Sequence, residues 1–409
     1  MMLSTFNEYL DRSALLGWLL SAGSLAVIAH GLFQAGSKTT AFLVVAPLIA
    51  IIATSSWRRV APNACDVAFG FLAVWIAISL TINGLPDGKE TTLLTLSLAA
   101  YPAARLVSTS TTRIKGIAMV ALSIAIIGAI ATILALVEQW DDPHGKPFVF
   151  GEFDAAPLQF VITMTFGLFA AISRPLTVRR ALLVSALAAP LTIVFAAAMV
   201  RFALLAMLMT LVITSCIGAW KQRAPLLLIA TILMLSTLAG TAIRHSTAQI
   251  FLSRAATAIA LSPDDCKSVD VDNSIAIRKE LLKEGLQLLL GAGAVGIGLD
   301  GFAELSCIKN HAVHNSFLQT TIEFGWPAGF ALVLLAFLAI ASTLPLSRRL
   351  PQIQFAICAL TFSLLLSSSY GRISRDLCLF AALGCAASTR GIVARAESGA
   401  NAESAARLP

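Results

Sequence analysis

Apolar runs of membrane-crossing length alternate with short polar connections along most of the chain. Crossing a hydrocarbon core takes about 20 mostly apolar residues per helix. Twelve segments approach that pattern, at about 14–33, 40–57, 66–82, 91–107, 116–138, 156–173, 181–200, 202–220, 225–243, 318–342, 352–370 and 376–391. Backbone polar groups must be satisfied internally in lipid, so helices are expected rather than open strands or coil. The pattern breaks once, where residues 244–317 form a long polar-rich stretch among short connections. Long loops on a rigid scaffold are where chemistry concentrates.

An all-α polytopic membrane protein in four parts follows. Residues 1–243 supply helices one to nine, 244–317 a large loop, 318–391 the last three helices, and 392–409 a tail. The tail is Ala/Ser-rich and expected to be disordered. The first apolar run is too long for a signal-peptide core and lacks a small-residue cleavage site followed by a polar domain, so it reads as a retained helix.

Composition strengthens this class. The chain is 57% hydrophobic and 12% charged, with mean hydropathy +0.84, whereas soluble proteins carry about 25% charged residues. The net charge of +7 does not point to nucleic acid, because the basic residues sit in pairs between apolar runs. Membrane lipid headgroups and orientation explain them. With a cytoplasmic N-terminus, sixteen Lys and Arg fall on one side, and only Lys38, Lys89, Lys146, Arg201, Arg372 and Arg375 occupy the short connections of the other. That bias places both termini inside and the large loop outside. Of seven cysteines, Cys266 and Cys307 alone lie in that loop, where an oxidising compartment would permit a disulfide.

Within the loop, Ile277, Leu281, Leu282, Leu286 and Leu289 fall on one helical face behind the cap residues Asn273 and Ser274. An amphipathic helix on the outer leaflet is expected, with Arg278 in its first two turns. The plainer alternative makes Arg278, Lys279 and Lys283 a stripe facing headgroups. Five glycines then occur between Gly291 and Gly301, beside Asp300. They follow a helix rather than a strand, which rules out a dinucleotide fingerprint and implies a turning backbone that other groups approach closely.

His311 and His314 close the loop. They are two of five histidines, and no metal motif surrounds them. Imidazole titrates near neutrality and suits a proton acceptor; the plainer alternative is a helix cap or a headgroup contact. Arg201 interrupts about forty apolar residues between Arg180 and Lys221, on the side where basic residues are scarce. It reads either as a snorkelling turn residue or as a functional charge. Arg372 and Arg375 occupy another turn of that side. Guanidinium groups pair bidentately with phosphate oxygens.

The stretch His314-Asn-Ser-Phe-Leu-Gln-Thr-Thr-Ile-Glu-Phe-Gly325 resembles the O-antigen ligase and Wzy-type polysaccharide polymerase superfamily, in which a His-Asn or His-Ser pair precedes a glycine at the end of a large periplasmic loop. Arg278, the run Gly296-Ile-Gly298-Leu-Asp-Gly301-Phe302, and Arg201 followed by Phe-Ala-Leu-Leu-Ala are similar to its other elements, in the same order. The chain departs from the pattern at Ala328, where a second glycine is usual, at Val200, where serine is common, and in lacking an aromatic a turn after Arg278.

The resemblance implies a bacterial inner-membrane glycosyltransferase with its site facing the periplasm. Such an enzyme moves a glycan from undecaprenyl diphosphate to an acceptor hydroxyl, on lipid A-core or another glycan, without metal or cofactor. It also implies catalytic roles for His314, Arg278 and Arg201, with Asn315, His311, Arg372, Arg375 and Asp300 as substrate-binding candidates. A polymerase is the nearest rival. A lipid-linked oligosaccharide flippase is a different class, disfavoured by predicted spans with few acidic residues beyond Glu323 and by the absence of an evident internal repeat.

Overall fold

The computed structural model describes residues 12–55, 60–86, 88–107, 114–140, 146–151, 153–173, 175–260, 273–309, 311–347 and 353–391. The described chain is all-helical, with one isolated bridge between Val149 and Phe153 and no strand. The helices are α1 (Arg12–Leu20), α2 (Ala22–Phe33), α3 (Ser37–Thr54), α4 (Ala64–Asn83), α5 (Gly88–Val107), α6 (Lys115–Glu138), α7 (Ala156–Ile172), α8 (Val178–Ala197), α9 (Phe202–Ile217) and α10 (Trp220–Ile243). Then come α11 (His245–Ala260), α12 (Ser274–Leu289), α13 (Gly301–Leu305), α14 (Ser316–Phe324), α15 (Trp326–Thr343), α16 (Gln354–Ser369) and α17 (Leu377–Ala387).

Every expected apolar segment is helical, but two are broken. The first bends by 69° between α1 and α2. The tenth is interrupted at Gly325, which separates the short, polar α14 from the apolar α15. By length and composition, five described helices can cross a membrane, or six if the bent first pair counts as one span. These are α4, α6, α8, α10 and α15 with its following turn; α3, α7, α9, α16 and α17 are shorter apolar helices. The five leave half or more of their apolar windows unburied, with Val67, Val74, Met119, Leu134 and Phe337 facing outwards. Apolar belts of that extent belong against lipid rather than water.

Neighbouring helices approach closely through small residues. A Cβ on Gly384 would lie 2.3 Å from the Tyr101 carbonyl oxygen, which lets α17 pack on α5. One end of that pair is locked by charge. Asn63 caps α4, accepting from the Cys65 and Asp66 amides, and Asp66 returns a bond to the Asn63 amide. The Asp66 carboxylate also receives Arg105 at 2.7 Å and the Tyr101 hydroxyl at 2.8 Å. Removing one member strands the other charge, at a cost of about 3 kcal/mol for a buried pair. Asp66→Ala is therefore expected to lower the thermal unfolding midpoint in detergent, and Asp66→Leu with Arg105→Met to recover part of the loss.

The loop segment after Asn273 folds over a small core of its own, built from Ile277, Leu281, Phe302, Ile308, Val313 and Ile322. Asn273 caps α12 by accepting from the amides of Ile275 and Ala276, as its residue type suggested. The expected apolar face is divided: Ile277 and Leu281 enter the core, while Leu282 and Leu286 remain half exposed. Cys307 is disulfide-bonded; Cys266 lies outside the described residues.

The glycine-rich run docks on the break at Gly325. The Ile297 and Gly298 amides donate to the carbonyls of Ile322 and Glu323, and the Trp326 amide donates to that of Gly293. Gly325 has φ 88°, and a Cβ there would meet the Ala294 carbonyl oxygen at 2.0 Å. Gly325→Ala is expected to cost more than about 2 kcal/mol, from backbone strain and displacement of the loop. A thermal melt of the purified variant checks this.

Candidate functional site

Three chain turns and one loop helix meet on the face that carries the 273–317 segment. Arg201 ends the tight turn from α8 to α9, in which Met199 has φ 60° and the Val200 amide donates to the Phe195 carbonyl. The next residue, Phe202, points its ring at α12, and the Arg278 guanidinium lies 4.3 Å from that ring's centroid. The other ring beside Arg278 is Tyr370, at the end of α16, 4.9 Å away. Stacking on aromatic faces holds a guanidinium without consuming its donors. The Arg278 Nη1 is buried and makes no hydrogen bond.

His314 stacks on Tyr370 as well, with ring centroids 5.6 Å apart and planes 25° from parallel. Its backbone sits at φ 55°, a left-handed conformation that non-glycine residues rarely adopt and that often marks a functional site. Burial, then the charges of Arg278, His311 and Arg372, push its pKa down to about 4. The imidazole is therefore neutral at pH 7. Burial also lowers Arg201 and Arg278, and Arg278 is depressed further by Arg201. The three residues singled out for catalysis thus form one electrostatic group, with Tyr370 as the ring shared by two of them.

The other sequence candidates divide. Arg372 pairs with Asp300 at 2.6 Å and with Glu90 at 3.4 Å. Arg375 pairs with Glu90 at 2.6 Å, and the intervening Ser374 hydroxyl donates to the same carboxylate. One carboxylate on α5 thereby holds the whole Arg372–Arg375 turn. Arg372 still bears on His314 electrostatically, whereas Arg375 faces Glu90. Asp300, in a left-handed conformation, orients Arg372. Asn315 caps α14 by accepting from the amides of Phe317 and Leu318, and donates to the Ser368 carbonyl. His311 is exposed, with Nδ1 on the Lys309 carbonyl.

Beneath the turn, the Gln319 side chain accepts from the Ile373 amide through Oε1 and donates to buried Glu323 through Nε2. Among the described residues, no three His, Cys, Asp or Glu side chains are grouped to hold a metal ion. An apolar groove of about 420 Å³ opens beside Asn315, between Leu282 and Leu286 of α12 and Trp326, Phe330 and Val333 of α15.

Tyr370, Glu90 and Phe202 were not singled out in the sequence. Tyr370 has no motif to mark it, and Glu90 sits at the edge of an apolar run where an acid reads as a solvated end.

Fold and site together define an all-helical protein of the membrane class with a cationic, aromatic-lined site at one face. Compared with profiles of known protein families and with curated protein sequences, the chain matches none.

Proposed function

We propose that the protein is a glycosyltransferase similar to O-antigen ligases, moving a glycan from a polyprenyl diphosphate to an acceptor hydroxyl on lipid A-core or a related glycan. The observation that carries this reading is the shared Tyr370 ring: a neutral imidazole and a buried guanidinium with an unused donor both pack against it. The acceptor oxygen attacks the anomeric carbon, and its proton passes to a ring nitrogen of His314. The bond from the anomeric carbon to the diphosphate oxygen breaks, and the leaving group takes the electron pair. Arg278 and Arg201 stabilise the charge that develops there. Single displacement inverts the anomeric configuration.

Donor binding also tunes the base. Arg278 is the strongest charge depressing His314, so a diphosphate that neutralises Arg278 raises the basicity of His314 at the moment it is needed. The groove supports the lipid part of the reading, since its lining is mostly apolar and includes Asn315, the chain neighbour of His314. In the bacterial setting, the site would face the periplasm of the inner membrane.

The purified protein, given a lipid-linked glycan donor and lipid A-core, tests the reading. Transfer with release of polyprenyl diphosphate supports it. Extension of one lipid-linked glycan by another would identify a polymerase, and no transfer with any lipid-linked donor would favour transport.

A further inference from the structure

Tyr370 ends α16, and the turn that follows it is tied down from two sides. One side is the polar face of α14. Ser316, Gln319, Thr320 and Glu323 recur at the spacing of one helical face, and all four are fully buried. The Ser316 hydroxyl donates to Asp376 at 2.5 Å, and Gln319 Oε1 accepts from the Ile373 amide at 2.9 Å. Asn315, just ahead of that face, donates to the Ser368 carbonyl at 3.1 Å. The other side is Glu90 of α5, which receives Ser374 and Arg375. Gly371 permits the close approach, since a Cβ there would lie 2.2 Å from the Ser316 Oγ and 2.3 Å from the Ser367 carbonyl oxygen.

Burying so many polar groups is costly, and packing alone does not require it. A paired polar network fixes one geometry where apolar contacts tolerate several. What this network fixes is the ring of Tyr370. The Arg278 guanidinium carbon lies 4.9 Å from its centroid, and the His314 ring lies 5.6 Å away at 25° from parallel. Among the described residues, no hydrogen bond or ion pair holds either side chain, so the ring is the anchor they share. The guanidinium and the imidazole can be no further apart than the sum of those two distances. Both also reach the ring from firm mounts. His314 lies one residue before the cap of α14, the helix that holds the turn. Arg278 rides on α12, where a Cβ on Gly285 would lie 2.6 Å from Val313 and 2.9 Å from Leu318.

We propose that Tyr370 is a positioning residue, whose ring sets the separation between the imidazole that takes the proton and the guanidinium that meets the leaving diphosphate. The inference rests on the glycosyl-transfer reading and adds to it. In a single displacement the attacking and departing oxygens lie on opposite sides of the anomeric carbon. The groups that serve them must therefore keep one spacing while the bonds change. A rigid ring contacted by both supplies that spacing, and the buried ties of its turn keep the ring itself in place. The role belongs to the aromatic face and not to the phenol hydroxyl.

The test is single-turnover transfer by the full chain in detergent, from an undecaprenyl-diphosphate-linked glycan to lipid A-core. Its rate constant, unlike its amplitude, does not depend on how much of the sample is folded. Tyr370→Leu is expected to lower the rate constant about 100-fold, with the half-saturating donor concentration within about threefold. Tyr370→Phe, which keeps the ring, should recover most of the rate, and Tyr370→Met replaces the Leu variant if that one cannot be purified. In an Arg278→Ala background the Leu substitution should cost less than about tenfold, because one of the two groups it positions is gone. A loss of amplitude with an undiminished rate constant makes Tyr370 a packing residue, overturning the proposal and leaving glycosyl transfer standing. A full additive loss in the Arg278→Ala background overturns it too, as does failure of Tyr370→Phe to restore the rate. A wild-type protein that transfers glycan from no lipid-linked donor overturns this proposal and the glycosyl-transfer reading together.

Discussion

Arg278→Ala is expected to reduce glycan transfer by about 100- to 1000-fold, the range seen when one preorganised electrostatic stabiliser is removed from a transition state. The guanidinium is held between the rings of Phe202 and Tyr370, with Nη1 buried and uncommitted, so its donors need not be freed from another partner before they act. Arg278→Lys keeps the charge but loses the planar stack and the two-pronged donor geometry, and should recover only a small part of the rate. Single-turnover transfer by purified protein measures both. Because the stack also contributes packing, the comparison is read at matched thermal stability. Equal rates for wild type and the alanine variant would remove Arg278 from the chemistry.

The second large effect belongs to His314, whose loss should cost about 100- to 10,000-fold if it accepts the acceptor's proton. Asparagine is the cleaner probe, since it tolerates the φ of 55° better than alanine and keeps the turn in place. The pH dependence carries more information than the loss itself. With the free-enzyme pKa pushed down to about 4, the imidazole is neutral and competent above that value. kcat/KM should therefore hold level from neutrality towards pH 5 and fall as pH drops through about 4. In the donor complex Arg278 is neutralised, so the acid limb of kcat should lie at higher pH than that of kcat/KM. Coincident limbs near the ordinary imidazole value of about 6.5 would show that His314 is not the group titrating.

Much of this face was legible from charge placement. On the reading that puts the N-terminus inside, sixteen Lys and Arg follow the bias and six do not, and three of those six, Arg201, Arg372 and Arg375, bear on Arg278 or pair with Glu90 in the structure. A basic residue on the side where such residues are scarce is retained against a topological pressure, which is why Arg201 and Arg372 stood out.

Helix positions were readable because apolar length dictates them, and the cap of α12 because Asn273 is a strong capping residue. The break at Gly325 was hidden inside an apolar run. What reveals it is long-range backbone pairing to residues near Gly293 and Gly298, which no local pattern encodes. Asn315 could be placed beside His314 from the sequence, but its part in the fold could not: its side chain caps the first turn of α14 and donates to Ser368, while the residue lines the apolar groove.

The grip of Glu90 on the Arg372–Arg375 turn has a consequence for biogenesis. As the nascent chain leaves the ribosome, α5 emerges nearly three hundred residues before the two arginines that pair with its carboxylate. An unpaired carboxylate near the end of an apolar helix is costly to move into lipid, and α5 is not among the helices apolar enough to cross unaided. During that interval α5 should rest at the interface with Glu90 in water, and seat fully only when α17 arrives to cover it. Synthesis arrested before Arg375 should then leave Glu90 open to aqueous labelling, and the same step that closes α5 into the bundle would complete the cationic face.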